Sequence, residues 1–305
     1  MNKAMLNNKM LSKKQHVISD SNVHLLPHFQ KGLTLIELMV AMVIGLFLLL
    51  GISSVYLSNL KSDKARSQYS LLEDNARLAL DSMSRIIEHA GYQGTARTNA
   101  DKFISTAVTS NACVVNNNAL YSAFDKTKDD DSGDQFTGDR VGVVYLGSTS
   151  FNTDCAGNAI PVKCQIGNPA KTFATDLSRI YNAFYIDKVG NDGKLKCIGS
   201  RTVGAQLIAD NIENMQITYG IDSDNDPNKD IDQYVDAKDI NAGDWGQVKS
   251  VQIAVLVKSD KEIKNIAEQK TYSLLGKQFT VPKGANKKDK YQRAVFSTTI
   301  LLGNY

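Results

Sequence analysis

The strongest constraint on this chain is a stretch that water solvates badly. From Leu33 to Leu57 there is no Lys, Arg or Asp, and Glu37 is the single charge. At ~1.5 Å per residue, a helix of that length just crosses a ~30 Å hydrocarbon layer. The segment is therefore a membrane anchor or the apolar part of an export signal. Either choice raises the same question, which is why such a run keeps a carboxylate near its start.

Charge separates the chain into a front and a body. Residues 1–32 hold Lys3, Lys9, Lys13, Lys14 and Lys31 against one acid, Asp20. The rest carries 30 basic and 31 acidic residues, so the formal charge of +3 belongs to the front segment. That placement fits cytoplasmic retention of the front by the positive-inside rule. It gives no support for a nucleic-acid-binding body. Three of the four histidines also lie in front, leaving only His89 behind.

Cys113, Cys155, Cys164 and Cys197 all follow the apolar run. An even count on the exported side points to disulfides. Spacing favours Cys155–Cys164, which closes a short loop, with Cys113–Cys197 as the remainder, although three pairings are open. A zinc site would want close cysteine pairs or several histidines, and neither is present.

Beyond Leu57 no Gly or Pro interrupts the chain until Gly91. Ala65, Tyr69, Leu72, Ala76, Leu80, Met83, Ile87 and Ala90 recur three or four apart, the signature of one helix face. Charged residues from Lys61 to Glu88 fill the opposite face. The spacing predicts one continuous helix from about Thr34 to Ala90, stopped by Gly91. A conventional signal peptide has no reason to run unbroken into a packed helix.

Short β-type runs follow, at Asp139–Leu146, Asn182–Asp187, Leu195–Gly199, Met215–Ile221, Val248–Lys258 and Ala294–Leu301. Val251, Ile253, Val255 and Val257 alternate, which marks an apolar strand face. A second helix is expected at Gln206–Asn214. Lys258, Asp260, Lys261 and Lys264 read as a solvated edge. One long helix followed by many strands argues for an α+β fold, the helix packed on an antiparallel sheet.

The run Asp222, Asp224, Asp226, Asp230, Asp232 alternates acids as calcium loops do. Pro227 stands at the turn position that wants Gly, and Gln233 where a bidentate Glu belongs. A less regular calcium site using Asp222, Asp224, Asp226 and Asp230 competes with a solvated turn; no other cofactor is indicated. Asp129–Asp131 with Asp134 is a weaker cluster of the same kind. No nucleophile elbow, P-loop, dinucleotide fingerprint or His-Glu-x-x-His motif occurs. With one histidine behind the leader, acid–base catalysis has little to work with, so neither an enzyme nor a nucleotide-binding protein is expected.

Two local readings of Glu37 use the residues alone. Thr34-x-x-Glu37 before an apolar run spells a capping box, worth about 0.5–2 kcal/mol. Small residues Gly51, Ser53 and Ser54 would suit a leader-peptidase site, but that leaves the acid without a purpose.

The sequence Gly32-Leu33-Thr34-Leu35-Ile36-Glu37 plus its apolar run resembles the class III signal of type IV prepilins and type II secretion pseudopilins. The body is similar to the PilW minor pilins at Arg85–Gly94, Ile208–Asp222, Tyr234, Trp245–Val257 and Arg293–Asn304, and more distantly to J-type pseudopilins. The leader is longer than is usual in such prepilins, and the family's terminal Leu-Arg-Asn is here Leu302-Gly303-Asn304.

The resemblance implies a pilin fold and removal of residues 1–32 by a prepilin peptidase between Gly32 and Leu33, with methylation of Leu33. The remaining parts would be a membrane half at 33–57, an amphipathic half at 58–91 and a β-rich body at 92–305. It implies an inner-membrane, single-pass subunit with a periplasmic body that later joins a pilus at the cell surface. The expected partners are an inner-membrane assembly platform, other minor pilins and the major pilin. The expected role is priming pilus assembly from the tip, in support of twitching motility, adhesion or DNA uptake. Glu37 would then neutralise the new amine of a neighbouring subunit in oil. A type II secretion pseudopilin, or an anchored periplasmic ligand-binding module that never polymerises, are the alternatives.

Overall fold

The computed structural model describes residues 32–93, 102–111, 121–124, 126–132, 134–161, 164, 178–200, 204–224 and 230–303. Cys113, Asp226 and the leader up to Lys31 lie outside them. The chain divides into two units, Met1–Tyr56 and Leu57–Tyr305. One helix, α1, runs unbroken from Leu35 to Ile87, close to the span its periodicity predicts.

In the first unit the helix buries none of its large apolar side chains, from Leu35 to Val55. In the second unit the same helix buries Leu72, Ala76, Ala79, Met83 and Ile87, spaced four, three, four and four apart. Ala79 holds the centre of this stripe where Leu80 was expected, and Tyr69 stays 46% exposed. The small Ala76 and Ala79 let the helix axis approach the sheets closely. Gly91 ends the turn after α1 with a left-handed φ of +75°. A side chain there would be strained and would meet the Lys102 Cγ at 2.6 Å, so the stop is doubly enforced.

Among the described residues the strands form four sheets. Val108–Asn111 (β1) pairs Tyr121–Phe124 (β2). Val141–Leu146 (β4), Arg179–Val189 (β5), Asp192–Gly199 (β6) and Gln206–Asp210 (β7) make an antiparallel meander in that order. Ile212–Ile221 (β8), Val248–Lys258 (β10) and Arg293–Leu301 (β13) form the central antiparallel triplet of a five-stranded sheet. The short Thr137–Gly138 (β3) and Gln233–Val235 (β9) both pair with β8, the former in parallel. Lys270–Leu274 (β11) and Lys277–Val281 (β12) form a hairpin.

One core joins both larger sheets to the helix. Leu72, Met83 and Ile87 share a cluster with Val143, Phe184 and Leu195 from the meander and with Ile217, Val251, Ile253, Val255 and Val257 from the five-stranded sheet. The alternating valines of β10 thus face the core as expected. The other face of β10 is buried as well, because Ala254 and Leu256 pack under Leu274, Phe279 and Val281 of the β11–β12 hairpin. That hairpin has no long apolar run to announce it.

Two sequence expectations are corrected. Gln206–Asn214 is not helical: Gln206–Asp210 completes the meander against β6, Asn211 turns the chain at φ +62°, and β8 starts at Ile212. Pairing with β6 and β10 outweighs the weak local helical pattern. Lys258 is not a solvated edge residue but only 4% exposed. Its Nζ is held by the Asn191 carbonyl at 3.0 Å and an Asp192 carboxylate oxygen at 2.5 Å.

Candidate functional site

The amino-terminal motif is built from local chemistry. The Thr34 amide and hydroxyl each donate to one Glu37 carboxylate oxygen at 2.9 Å, and the Glu37 amide donates back to the Thr34 hydroxyl at 3.3 Å. This is a complete capping box: it satisfies backbone donors at the helix start that have no partner within the helix. In the single chain, Glu37 is therefore not an idle charge. Leu33 is 77% exposed just before it, and an added Cβ at Gly32 would meet nothing within 4 Å. Among the described residues nothing covers the Gly32–Leu33 junction, and the apolar helix follows directly behind it.

Within the second unit, a groove of about 480 Å³ runs between the helix and the loops after β10, lined by Ala65, Tyr69 and Ser70 on one side and Ile263 and Gln292 on the other. The Gln68 side chain accepts from the Lys261 amide at 2.9 Å and closes part of it. This is where the apolar stripe expected from sequence leaves its own core.

The body carries no arrangement resembling a nucleophile and its base among the described residues. His89 is half-buried, its Nδ1 2.6 Å from the Arg85 carbonyl and its ring stacked on Phe151 at 3.5 Å. Asp222, Asp224 and Asp232, rather than Asp230, bring carboxylate oxygens within 4.8 Å of one another. Asp232 is already occupied by the Ser223 amide and hydroxyl and the Asp224 amide, while Lys249 lies 3.6 Å from Asp222.

The disulfide expectation is corrected in its pairing. Cys155 joins Cys197, with Cα atoms 6.3 Å apart, and so ties the loop after β4 to strand β6. Cys164 is also disulfide-bonded. Loop length was a poor guide, because the meander places β6 beside the 154–158 turn, whose Cys155 amide is anchored on Asn182 of β5 at 2.6 Å.

Several buried charges carried no sequence signal, since their partners lie far apart in the chain. Arg293 makes two bonds to the fully buried Glu213, 80 residues away, and two to Asp289. Lys102 donates to the Gly246 and Val248 carbonyls, and burial pulls its ammonium down to about 8. Asp139 accepts from the Asp130 and Ile217 amides while burial pushes it up to about 7.

With this geometry in hand, comparison with known proteins is direct. Residues 183–304 match the family described as type IV pilus-assembly protein W, PilW. Residues 28–53 match the prokaryotic N-terminal methylation motif. The carboxy-terminal part of this chain is thus similar to the PilW family, and its start to the methylation motif of prepilins. The first match covers the strands from the middle of β5 to β13, and the second the capped start of α1. No curated protein sequence matches the chain. Among solved structures, a type IV-like pilin from Thermus thermophilus is similar at 11% identity and a TM-score of 0.37, over 76% of this chain and 96% of that one. The apolar helix is long enough to cross a membrane, and its start carries the methylation motif.

Proposed function

We propose that this PilW-like protein is cut between Gly32 and Leu33 by a prepilin peptidase, methylated on Leu33, and held in the inner membrane with its body in the periplasm. From there it joins other minor pilins in the complex that primes a type IV pilus and stays at or near the tip. The observation that carries this reading is the pairing of a PilW-like body with a helix whose first half is apolar, capped by one acid and exposed among the described residues.

Glu37 has two roles in sequence. In the lone subunit it caps its own helix through Thr34. In the assembly it neutralises the Leu33 amine of a neighbour, so that a subunit out of register would leave both charges unpaired in oil. Energy for extrusion comes from a separate ATPase, since no nucleotide motif is present.

The test separates the cap from the charge. Glu37→Gln keeps a capping side chain but loses the charge, whereas Glu37→Val loses both. Both variants should be processed normally and both should enter pili at least ~10-fold less well than wild type, about 1.4 kcal/mol or more of lost docking. Full piliation with Glu37→Gln would reduce the glutamate to a cap. Mass spectrometry of the membrane-extracted protein checks processing directly: a mature chain starting anywhere but Leu33 overturns it. Co-purification with secretion pseudopilins instead of pilus minor subunits would move the protein to a type II secretion system, and absence of Leu33–Glu37 crosslinks between chains would make it an anchored module.

A further inference from the structure

A second cavity, of about 220 Å³, lies at the end of the five-stranded sheet where β10 finishes at Lys258 and β13 begins at Arg293. At ~30 Å³ per water it has room for about seven waters, or one molecule of amino-acid size. Lys258 and Arg293 line it although they are only 4% and 5% exposed. Keeping cations in so dry a place is costly before pairing, and apolar residues of similar volume would hold a purely structural position as well or better.

The donors there are not used up. The Lys258 ammonium has three hydrogens, and its acceptors are the Asn191 carbonyl and Asp192. The Arg293 guanidinium has five, and four go to Glu213 and Asp289. One hydrogen on each cation is thus left without an acceptor among the described residues. At the rim, Lys287 has no acidic partner among the described residues, while Lys283 pairs with Asp134. The cations at the cavity are Lys258, Lys283, Lys287 and Arg293; Glu213 and Asp289 line it with them, and Asp192 and Asp134 pair with Lys258 and Lys283.

The wall is held under strain. Phe136 sits at φ +66°, a left-handed backbone that strains a bulky residue. It is fixed there by its own amide on the Glu213 carbonyl at 2.8 Å and by the neighbouring Gln135 side chain on the Glu213 carboxylate at 2.8 Å. The result is an apolar wall of Phe136 and Tyr291, whose ring centroids lie 5.6 and 4.6 Å from the Lys258 ammonium. Low-dielectric walls strengthen every electrostatic contact made inside the space.

We propose that this cavity binds a small oxyanion, a carboxylate or phosphate group carried on a molecule of about amino-acid size. Its oxygens accept the unused hydrogens of Lys258 and Arg293, and its charge is met by Lys287 at the rim. The proposal stands apart from filament assembly and would hold for a chain that never polymerised.

Isothermal titration of the detergent-solubilised full chain with inorganic phosphate and with glutarate tests it. Saturable one-to-one binding of at least one of them is expected, with Kd near or below ~1 mM, and the stronger of the two identifies the oxyanion. Lys287→Glu should weaken that binding at least tenfold, while Lys261→Glu, an exposed lysine outside the cavity, should leave it unchanged. Phe136→Leu, which keeps a buried apolar side chain but shortens the wall, should stay folded by circular dichroism yet bind more weakly. No saturable binding of either anion, or equal affinity in Lys287→Glu and wild type, overturns the site.

Discussion

Two halves of one helix meet opposite fates. From Leu35 to Leu57 nearly every side chain is apolar and none of the large ones is covered, with Phe47 at 75% exposure. From Leu72 to Ile87 the apolar residues are fewer and smaller, yet Met83, Ala79 and Ile87 are wholly buried. Apolar content therefore does not set burial. The second half alternates its character around the helix, so one stripe fits two sheets. The first half is apolar on all sides and needs a solvent or a neighbour that is apolar on all sides too. The fold stabilises one half, and only a membrane or other subunits can stabilise the other.

Placing the same charge in each half probes this contrast most strongly. Met83→Lys buries an unpaired cation in the core and should cost about 3–5 kcal/mol, enough to unfold the body as followed by circular dichroism. Met42→Lys should leave the body's melting curve unchanged and instead oppose membrane insertion by ~2.5–3.5 kcal/mol, read as a loss of membrane-bound protein. If Met42→Lys destabilised the body comparably, the two halves would not be independent.

The disulfide tests what the body needs beyond its helix contact. Replacing Cys155 and Cys197 together with Ala releases a closure spanning 42 residues and should lower stability by about 2–4 kcal/mol. Membrane insertion should not change. Denaturant melts of oxidised wild type and the double variant give the number.

Acidity offers a smaller handle on the same body. Burial raises Asp139 from 3.8 to about 7, so the native state holds a proton there that the unfolded chain has released. The proton favours the folded form, and this contribution is fully present below pH ~4 and lost as pH rises towards 7. Urea melts should show the body losing on the order of 1–3 kcal/mol from this group between pH 5 and 7.5, and Asp139→Asn should flatten that slope. Lys102 acts in the opposite sense at higher pH. With its ammonium lowered from 10.5 to about 8, the unfolded chain binds the extra proton, and stability rises between those values.

Calcium should matter least. With Asp232 engaged by Ser223 and Asp224 and with Lys249 beside Asp222, ~1 mM calcium should shift the melting temperature by less than about 1 °C, as expected for an ion well below its Kd. A larger shift, lost in Asp224→Asn, would make the acidic loop a binding site.

Much of this protein was legible from its residues alone, because the deciding interactions are local or periodic. The apolar run, the capping residues Thr34 and Glu37, the stop at Gly91 and the alternating valines of β10 each act within a turn or a strand. Hydrophobic period and helix-end chemistry are written at that range. What lay beyond it was misread or invisible: the Cys155–Cys197 bond, the strand at Gln206–Asp210, the hairpin over Ala254 and Leu256, and the burial of Lys258 and Arg293. Each depends on which distant strand becomes a neighbour, and the 80 residues between Glu213 and Arg293 carry no trace of that choice. Only the packed sheets decide it, since pairing energy is realised between strands and not along them.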